Sequence, residues 1–216
     1  DRDVVLAALQ QDGRALKFAS DPLKAHHNFV LTAVKLNGMA LQDAKIELKN
    51  RKDIVLAAVQ QNGRALLSAS SELRNDPEIV LNAVQQNGEA LEFASPNLQG
   101  NQTVVLAAVE QNRWALQFAT REIVLATVQQ NGAALEFASK KFREDGKFIL
   151  DAMQQDVAVI YQASEDFRKD KAFMLAAIKQ NADALMCAEE VLKADRNFIL
   201  DAVKQNGLAL EFASKE

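Results

Sequence analysis

Apolar and polar positions alternate along this chain in a way that fits short, enclosed helices. In Asp53-Ile54-Val55-Leu56-Ala57-Ala58-Val59-Gln60-Gln61-Asn62-Gly63, the side chains of Ile54, Val55, Leu56, Ala58 and Val59 wrap well over half of a helix. A helix with one face in water shows a narrower stripe, so this one is expected to lie between a partner helix and a neighbouring unit. Asp53 suits an N-cap or first-turn position, where a carboxylate meets orphan N–H groups and the positive end of the helix dipole. Gly63 is expected to end the helix in the left-handed conformation, which glycine adopts without a Cβ clash. The pattern predicts a helix A over Ile54 to Gln61 with its cap. A helix B over Arg64-Ala65-Leu66-Leu67-Ser68-Ala69 follows at once, about two turns long and too short to persist alone in water.

The same pattern occurs nine times. Anchored on the Leu of Val-Leu-x-Ala, the copies fall at Leu6, Leu31, Leu56, Leu81, Leu106, Leu125, Leu150, Leu175 and Leu200. Every step is 25 residues except Leu106 to Leu125, which is 19. A fixed period of this size marks a repeat array. The expected fold is all-α, an α-solenoid of about nine short helix pairs running as a single array over residues 1–216, each pair packed on its neighbours. Between pairs runs a connector, Ser-x-x-Leu-x-x-Asp. Leu23, Leu48, Leu73, Leu98, Phe142, Phe167 and Leu192 form its apolar plug, and Asp76, Asp145, Asp170 and Asp195 stand where the next helix A is capped. A short 3₁₀ or single helical turn is expected there.

Two aromatic columns stand out. Phe29, Phe148, Phe173 and Phe198 lie two residues before the anchor, and Phe18, Phe93, Phe118, Phe137 and Phe212 lie twelve after it. The last copy alone has both, and the third alone has neither, so the two positions are expected to share one volume across the helix pair.

Breaks in the pattern are informative. In copy five Arg113 replaces the usual Gly, and Trp114, the sole Trp, occupies a site that elsewhere holds Arg14, Glu89 or Asp183. A site tolerant of charge faces solvent. An exposed Trp beside an Arg has hot-spot composition, and the competing expectation is that Trp114 folds over the shortened connector beside it. That connector is missing between Thr120 and Arg121, either by true deletion or because six residues are absent from this sequence; the intact flanking helices favour absence. Copies seven and eight lack the Gly, with Val157 and Ala182 in its place. Their helices A and B are expected to run closer to continuous. Tyr161, the only Tyr, is a second exposed-aromatic candidate.

Polar columns supply the remaining candidates. Asp12, Asn37, Asn62, Asn87, Asn112, Asn131, Asp156, Asn181 and Asn206 form one, and the Gln before them recurs in every copy except at Leu36. As structure, Asn would cap helix A through its side chain and tolerate the left-handed region, with Gln amides bonding between repeats. As function, Gln61, Gln86, Gln111 and Gln130 would line a groove for an extended peptide.

Little else bears on chemistry. The net charge of −4 disfavours bulk phosphate binding, so nucleic acid is not an expected partner. Aromatic or Arg columns of the kind that read RNA bases are missing. His26 and His27 are the only histidines, and no metal site is expected from them. Cys187, the single cysteine, reads as a buried apolar residue, and no disulfide can form within the chain. Glu189-Glu190 and Asp1 with Asp3 read as solvated charge or caps. No apolar run reaches the length of a membrane span. The chain begins without Met at Asp1 and stops mid-repeat at Ser214-Lys215-Glu216, as expected of a piece of a longer protein, and the piece itself is expected to be monomeric.

The phrase Val-Leu-Ala-Ala-Val-Gln-Gln-Asn-Gly-x-Ala-Leu, beginning at Val55, and its counterpart beginning at Val80, resemble the tandem repeat called domain of unknown function 4116, across essentially the whole chain. That resemblance implies a cytoplasmic protein, or one secreted into a host cytosol, since the family occurs in effector-like proteins of intracellular bacteria and in unicellular eukaryotes. It supplies no catalytic residues and no cofactor. The expected function is a non-catalytic protein-binding or scaffold module, with the recognition arm of a bacterial effector as the setting the resemblance implies; the alternative is a purely structural spacer between flanking domains.

Overall fold

The computed structural model describes residues 2–213, and all of these form helices, turns and connectors with no strand among them. Asp1, half of one acidic pair considered above, and Ser214-Lys215-Glu216 lie outside the described residues. The chain divides into two compact units, residues 1–120 and 121–216, at the place where the period breaks. Copies one to five form the first unit and copies six to nine the second.

In the first unit helix A spans Arg2–Gln11, His27–Leu36, Lys52–Gln61, Pro77–Gln86 and Gln102–Gln111. Its inner positions are fully buried, as at Ile54, Val55, Ala58 and Val59. Helix B is a 3₁₀ helix, for example Gly38–Asp43, Gly63–Ser68 and Gly88–Phe93. Its Ala-Leu pairs, Ala40-Leu41, Ala65-Leu66 and Ala90-Leu91, complete each core layer. Asp76 caps its helix as expected, accepting from the N–H groups of Glu78 and Ile79. Asp145, Asp170 and Asp195 do the same in the second unit. Asp53 is a first-turn residue, since the cap position there belongs to Arg51.

The glycine and asparagine columns work differently from the expectation. Among the described residues none has a positive φ, glycine included. Asn62 is extended (φ −151°, ψ 110°), and its side chain accepts from Arg64 N–H, so it caps the start of helix B rather than the end of helix A. Gly63 opens helix B. A Cβ there would sit nearer than 3.0 Å to the carbonyl oxygen of Ala83 in the next copy, and Gly38 and Gly88 meet Ala58 and Ala108 in the same way. Glycine is needed for close approach between repeats, not for handedness.

Copies seven and eight are also not continuous. In copy seven helix A ends at Ala152 and helix B is an α-helix over Val159–Gln162. In copy eight Asn181 stays extended (φ −148°, ψ 121°) between Lys171–Gln180 and Ala184–Cys187. The side chains of Asp156 and Asn181 still accept from Ala158 and Asp183 N–H. The Asn or Asp cap makes the break, so it survives loss of the glycine.

The two Phe columns do not share a volume. Phe29, Phe148 and Phe198 are fully buried, whereas Phe93, Phe118, Phe137 and Phe212 are half-buried at a rim and Phe18 is exposed. The buried ring meets the connector plug instead. Phe142 stacks on Phe148 with centroids 5.0 Å apart, and Phe167 on Phe173 at 4.5 Å.

Candidate functional site

Three periodic bonds couple neighbouring copies, and they shape the surface on which a site could form. First, the Gln at the end of three of the helices A in the first unit reaches back one repeat. Gly38 N–H donates to Gln61 Oε1 at 2.5 Å, Gly63 to Gln86 at 2.5 Å and Gly88 to Gln111 at 2.6 Å. The expected bonding of Gln amides between repeats is present, directed at backbone. Second, each connector joins the one before it through backbone. Ser70 N–H donates to Lys49 C=O at 3.0 Å, Ser95 to Arg74 at 2.9 Å and Thr120 to Gln99 at 3.1 Å. The Ser70 hydroxyl also donates to Asn50 Oδ1, and that of Ser95 to Asn75 Oδ1, both at 2.6 Å. Third, a cation at the first helical position pairs with a carboxylate of the next copy. Lys52 lies 2.7 Å from Asp76, and in the second unit Arg121 lies 2.7 Å from Asp145 and Lys171 pairs with Asp195. His27 is the variant member, with Nε2 2.6 Å from Asp53 Oδ2.

These pairs perturb the groups that make them. Partial burial pushes the Asp76 carboxyl up, but the Lys52 ammonium and the N–H groups of Ile79 and Glu78 outweigh it, and the net shift is downward. The Phe148 N–H, with Arg121 assisting, lowers Asp145. Asn28 and then Asp53 raise His27, because both stabilise its charged form.

Along the first unit the Gln and Asn columns line a polar groove of about 610 Å³, bounded by Asn37, Gln61, Asn62, Arg64, Gln86, Asn87, Glu89, Gln111 and Asn112. Gln61, Gln86 and Gln111 are therefore brought together. Each uses its carbonyl for a glycine N–H, so its carboxamide N–H groups are the donors left to a ligand. Arg64 and Glu89, 3.6 Å apart, place one charge of each sign on the wall.

The other predicted residues are not part of this groove. Arg113 and Trp114 do not line it, although Trp114 occupies the same column as Arg64 and Glu89 and is 49% exposed. Gln130 belongs to the second unit and is exposed. Tyr161, also in the second unit, is 51% exposed, and its hydroxyl donates to the Met186 carbonyl at 3.2 Å, tying copy seven to copy eight. Arg168 lies over its ring, 5.7 Å from the centroid. Cys187 is buried as expected, and burial pushes its thiol pKa up. Sequence reasoning missed the charge ladder and the Ser-Asn pairs. The signal for the first was a Lys or Arg 24 residues before a capping Asp, as in Lys52 and Asp76.

Among the described residues no helix is long and apolar enough to cross a membrane. Neither a curated protein nor a solved structure matches the chain. The family model described as a domain of unknown function, DUF4116, matches residues 1–49, 26–74, 51–99, 76–120, 120–168, 145–190 and 170–216. Each match spans about two helix pairs, and successive matches overlap, at Thr120 by a single residue. The chain belongs to the DUF4116 family.

Proposed function

We propose that the first unit is a non-catalytic binding module that receives an extended peptide along its amide groove. The observation that carries this is the register of Gln61, Gln86 and Gln111, each oriented by a glycine N–H and each lining the same groove. Fixed amide donors at regular intervals suit the carbonyls of an extended backbone, which repeat along a strand. The walls carry both signs of charge, so recognition would rest on main-chain bonds more than on net charge. A cytoplasmic scaffold or the recognition arm of a secreted bacterial effector are both settings in which such a module would serve.

A second reading, a spacer that holds flanking domains apart, is favoured by one specific observation. The Gln carbonyls are already used in bonds between repeats, and the Asn side-chain oxygens in capping helix B.

Selection of a random peptide library on the chain separates the two readings. Gln61→Glu, Gln86→Glu and Gln111→Glu keep an oxygen for the glycine N–H but remove the N–H donors. Peptides that bind the parent and are lost by the triple variant support the groove. Peptides that bind both equally place the site elsewhere, and enrichment of none supports the spacer.

A further inference from the structure

We infer that the groove of the first unit takes a proline-rich segment in the polyproline II conformation, seating three ligand residues per repeat. The inference rests on the groove reading proposed above and narrows it to one class of ligand.

The hydrogen-bonding chemistry of the groove is one-sided. The carboxamide oxygens of Gln61, Gln86 and Gln111 accept from the N–H groups of Gly38, Gly63 and Gly88. Those of Asn37, Asn62, Asn87 and Asn112 accept from the N–H groups of Met39, Arg64, Glu89 and Trp114. The one carboxylate on the lining, Glu89, receives the Asn112 amide at 3.4 Å and faces Arg64 at 3.6 Å. What the carboxamides retain for a ligand is N–H. A strand adding to an edge needs donors and acceptors in turn, because its own backbone offers both. Proline lacks the backbone N–H and keeps the carbonyl, so a proline-rich segment asks for donors alone. Its carbonyls are free to accept, since polyproline II makes no internal hydrogen bonds.

The spacing selects the same ligand. Gln86 stands to Gly63 as Gln111 stands to Gly88, so the amides recur once per repeat. Consecutive helices A, such as Lys52–Gln61 and Pro77–Gln86, pack directly on each other, and packed helices lie about 8–10 Å apart. Polyproline II has three residues per turn, so equivalent carbonyls return about every 9 Å on one side. In a β-strand they return every second residue, about 6.6 Å, and lose step with the amides after one repeat. A preformed polyproline II helix also loses little entropy on binding, which suits a site whose contacts are hydrogen bonds of modest net worth.

Fluorescence polarisation of labelled, end-blocked oligoprolines of three, six, nine and twelve residues tests this on the chain. Affinity should rise roughly two- to tenfold with each triplet, the factor for one net hydrogen bond, and level off at about nine residues, where Gln61, Gln86 and Gln111 are all engaged. The probe is neutral, so its loss in the Gln61→Glu, Gln86→Glu, Gln111→Glu variant reports the missing donors rather than charge. That variant should weaken the nine-residue probe at least about tenfold while keeping the parent's circular dichroism. If it unfolds, the length series on the parent decides alone. The comparison is an end-blocked strand former of alternating Thr and Val, expected to bind at least about tenfold more weakly than oligoproline of equal length. A strand former that binds through the same Gln residues while oligoproline does not would overturn the inference and leave the groove reading standing. Oligoproline binding that ignores the triplet steps or the Gln residues overturns it too. So does binding of neither peptide, in which case the library selection above decides the groove reading separately.

Discussion

Lys52 Nζ lies 2.7 Å from Oδ2 of Asp76, the residue that caps helix A one copy further on. One carboxylate thus closes its own helix through Glu78 and Ile79 N–H and also holds the preceding repeat. Asp76→Ala removes both roles and is expected to cost about 0.5–2 kcal/mol, the range for a lost N-cap. Lys52→Met keeps the cap and removes only the half-exposed ion pairs to Asp76 and Glu78, and is expected to cost less. Urea denaturation of the two variants checks the order; equal losses would mean that the cap contributes nothing of its own.

Glycine substitutions should separate by position. Gly63→Ala forces a Cβ toward the Ala83 carbonyl and should destabilise, since backbone cannot easily give way. Gly207→Ala meets nothing and has no positive φ to lose, so it should stabilise by roughly 0.4–1 kcal/mol through the unfolded state. Thermal melts would show Tm moving in opposite directions.

His27 makes one junction of the first unit sensitive to pH. Its folded pKa is raised, by Asn28 and then Asp53. The stabilisation is therefore full below the ordinary histidine value, about 6.5, and is lost as pH rises through the higher folded value. Asp53 is lowered on balance, with burial raising it and His27 and Arg51 pulling it down further, so its share is lost only as pH falls through the carboxylate range. The Tm difference between the parent and His27→Gln should be largest near pH 5–6 and shrink toward alkaline pH. A difference that is constant over that range would contradict the pair.

The regular parts of this fold were legible because periodicity reports burial. Ile54, Val55, Ala58 and Val59 are apolar in every sense the core requires, and the caps at Asp76 and Asp195 follow from carboxylate chemistry at a helix start. Gly63 was misread because two different constraints select glycine. A left-handed cap and a close approach look the same in sequence, and only the position of Ala83 in the next copy distinguishes them. Asn62 was misplaced by one element for a related reason: the same residue ends one helix and begins the next, and its side chain serves the second. Of the candidate site, Gln61, Gln86 and Gln111 were found by their column, whereas Arg64 and Glu89 vary between copies and join the groove only through geometry.

Gln86 should matter to stability as well as to binding. Gln86→Ala leaves Gly63 N–H without its acceptor at a half-buried junction, an expected cost of about 1–3 kcal/mol. Gln86→Glu keeps an oxygen there and should cost much less at neutral pH. Chemical denaturation of the pair checks this, and equal costs would show that the side chain acts through packing alone.

The coupling of repeats through glycine and glutamine is tested most directly by amide hydrogen exchange read residue by residue. Gly38, Gly63 and Gly88 N–H should be strongly protected, Gly207 should exchange quickly in dilute solution, and Gln86→Ala should release Gly63 more than it releases Gly38. Rapid exchange at Gly63 in the parent, or protection there that survives Gln86→Ala, would contradict the account.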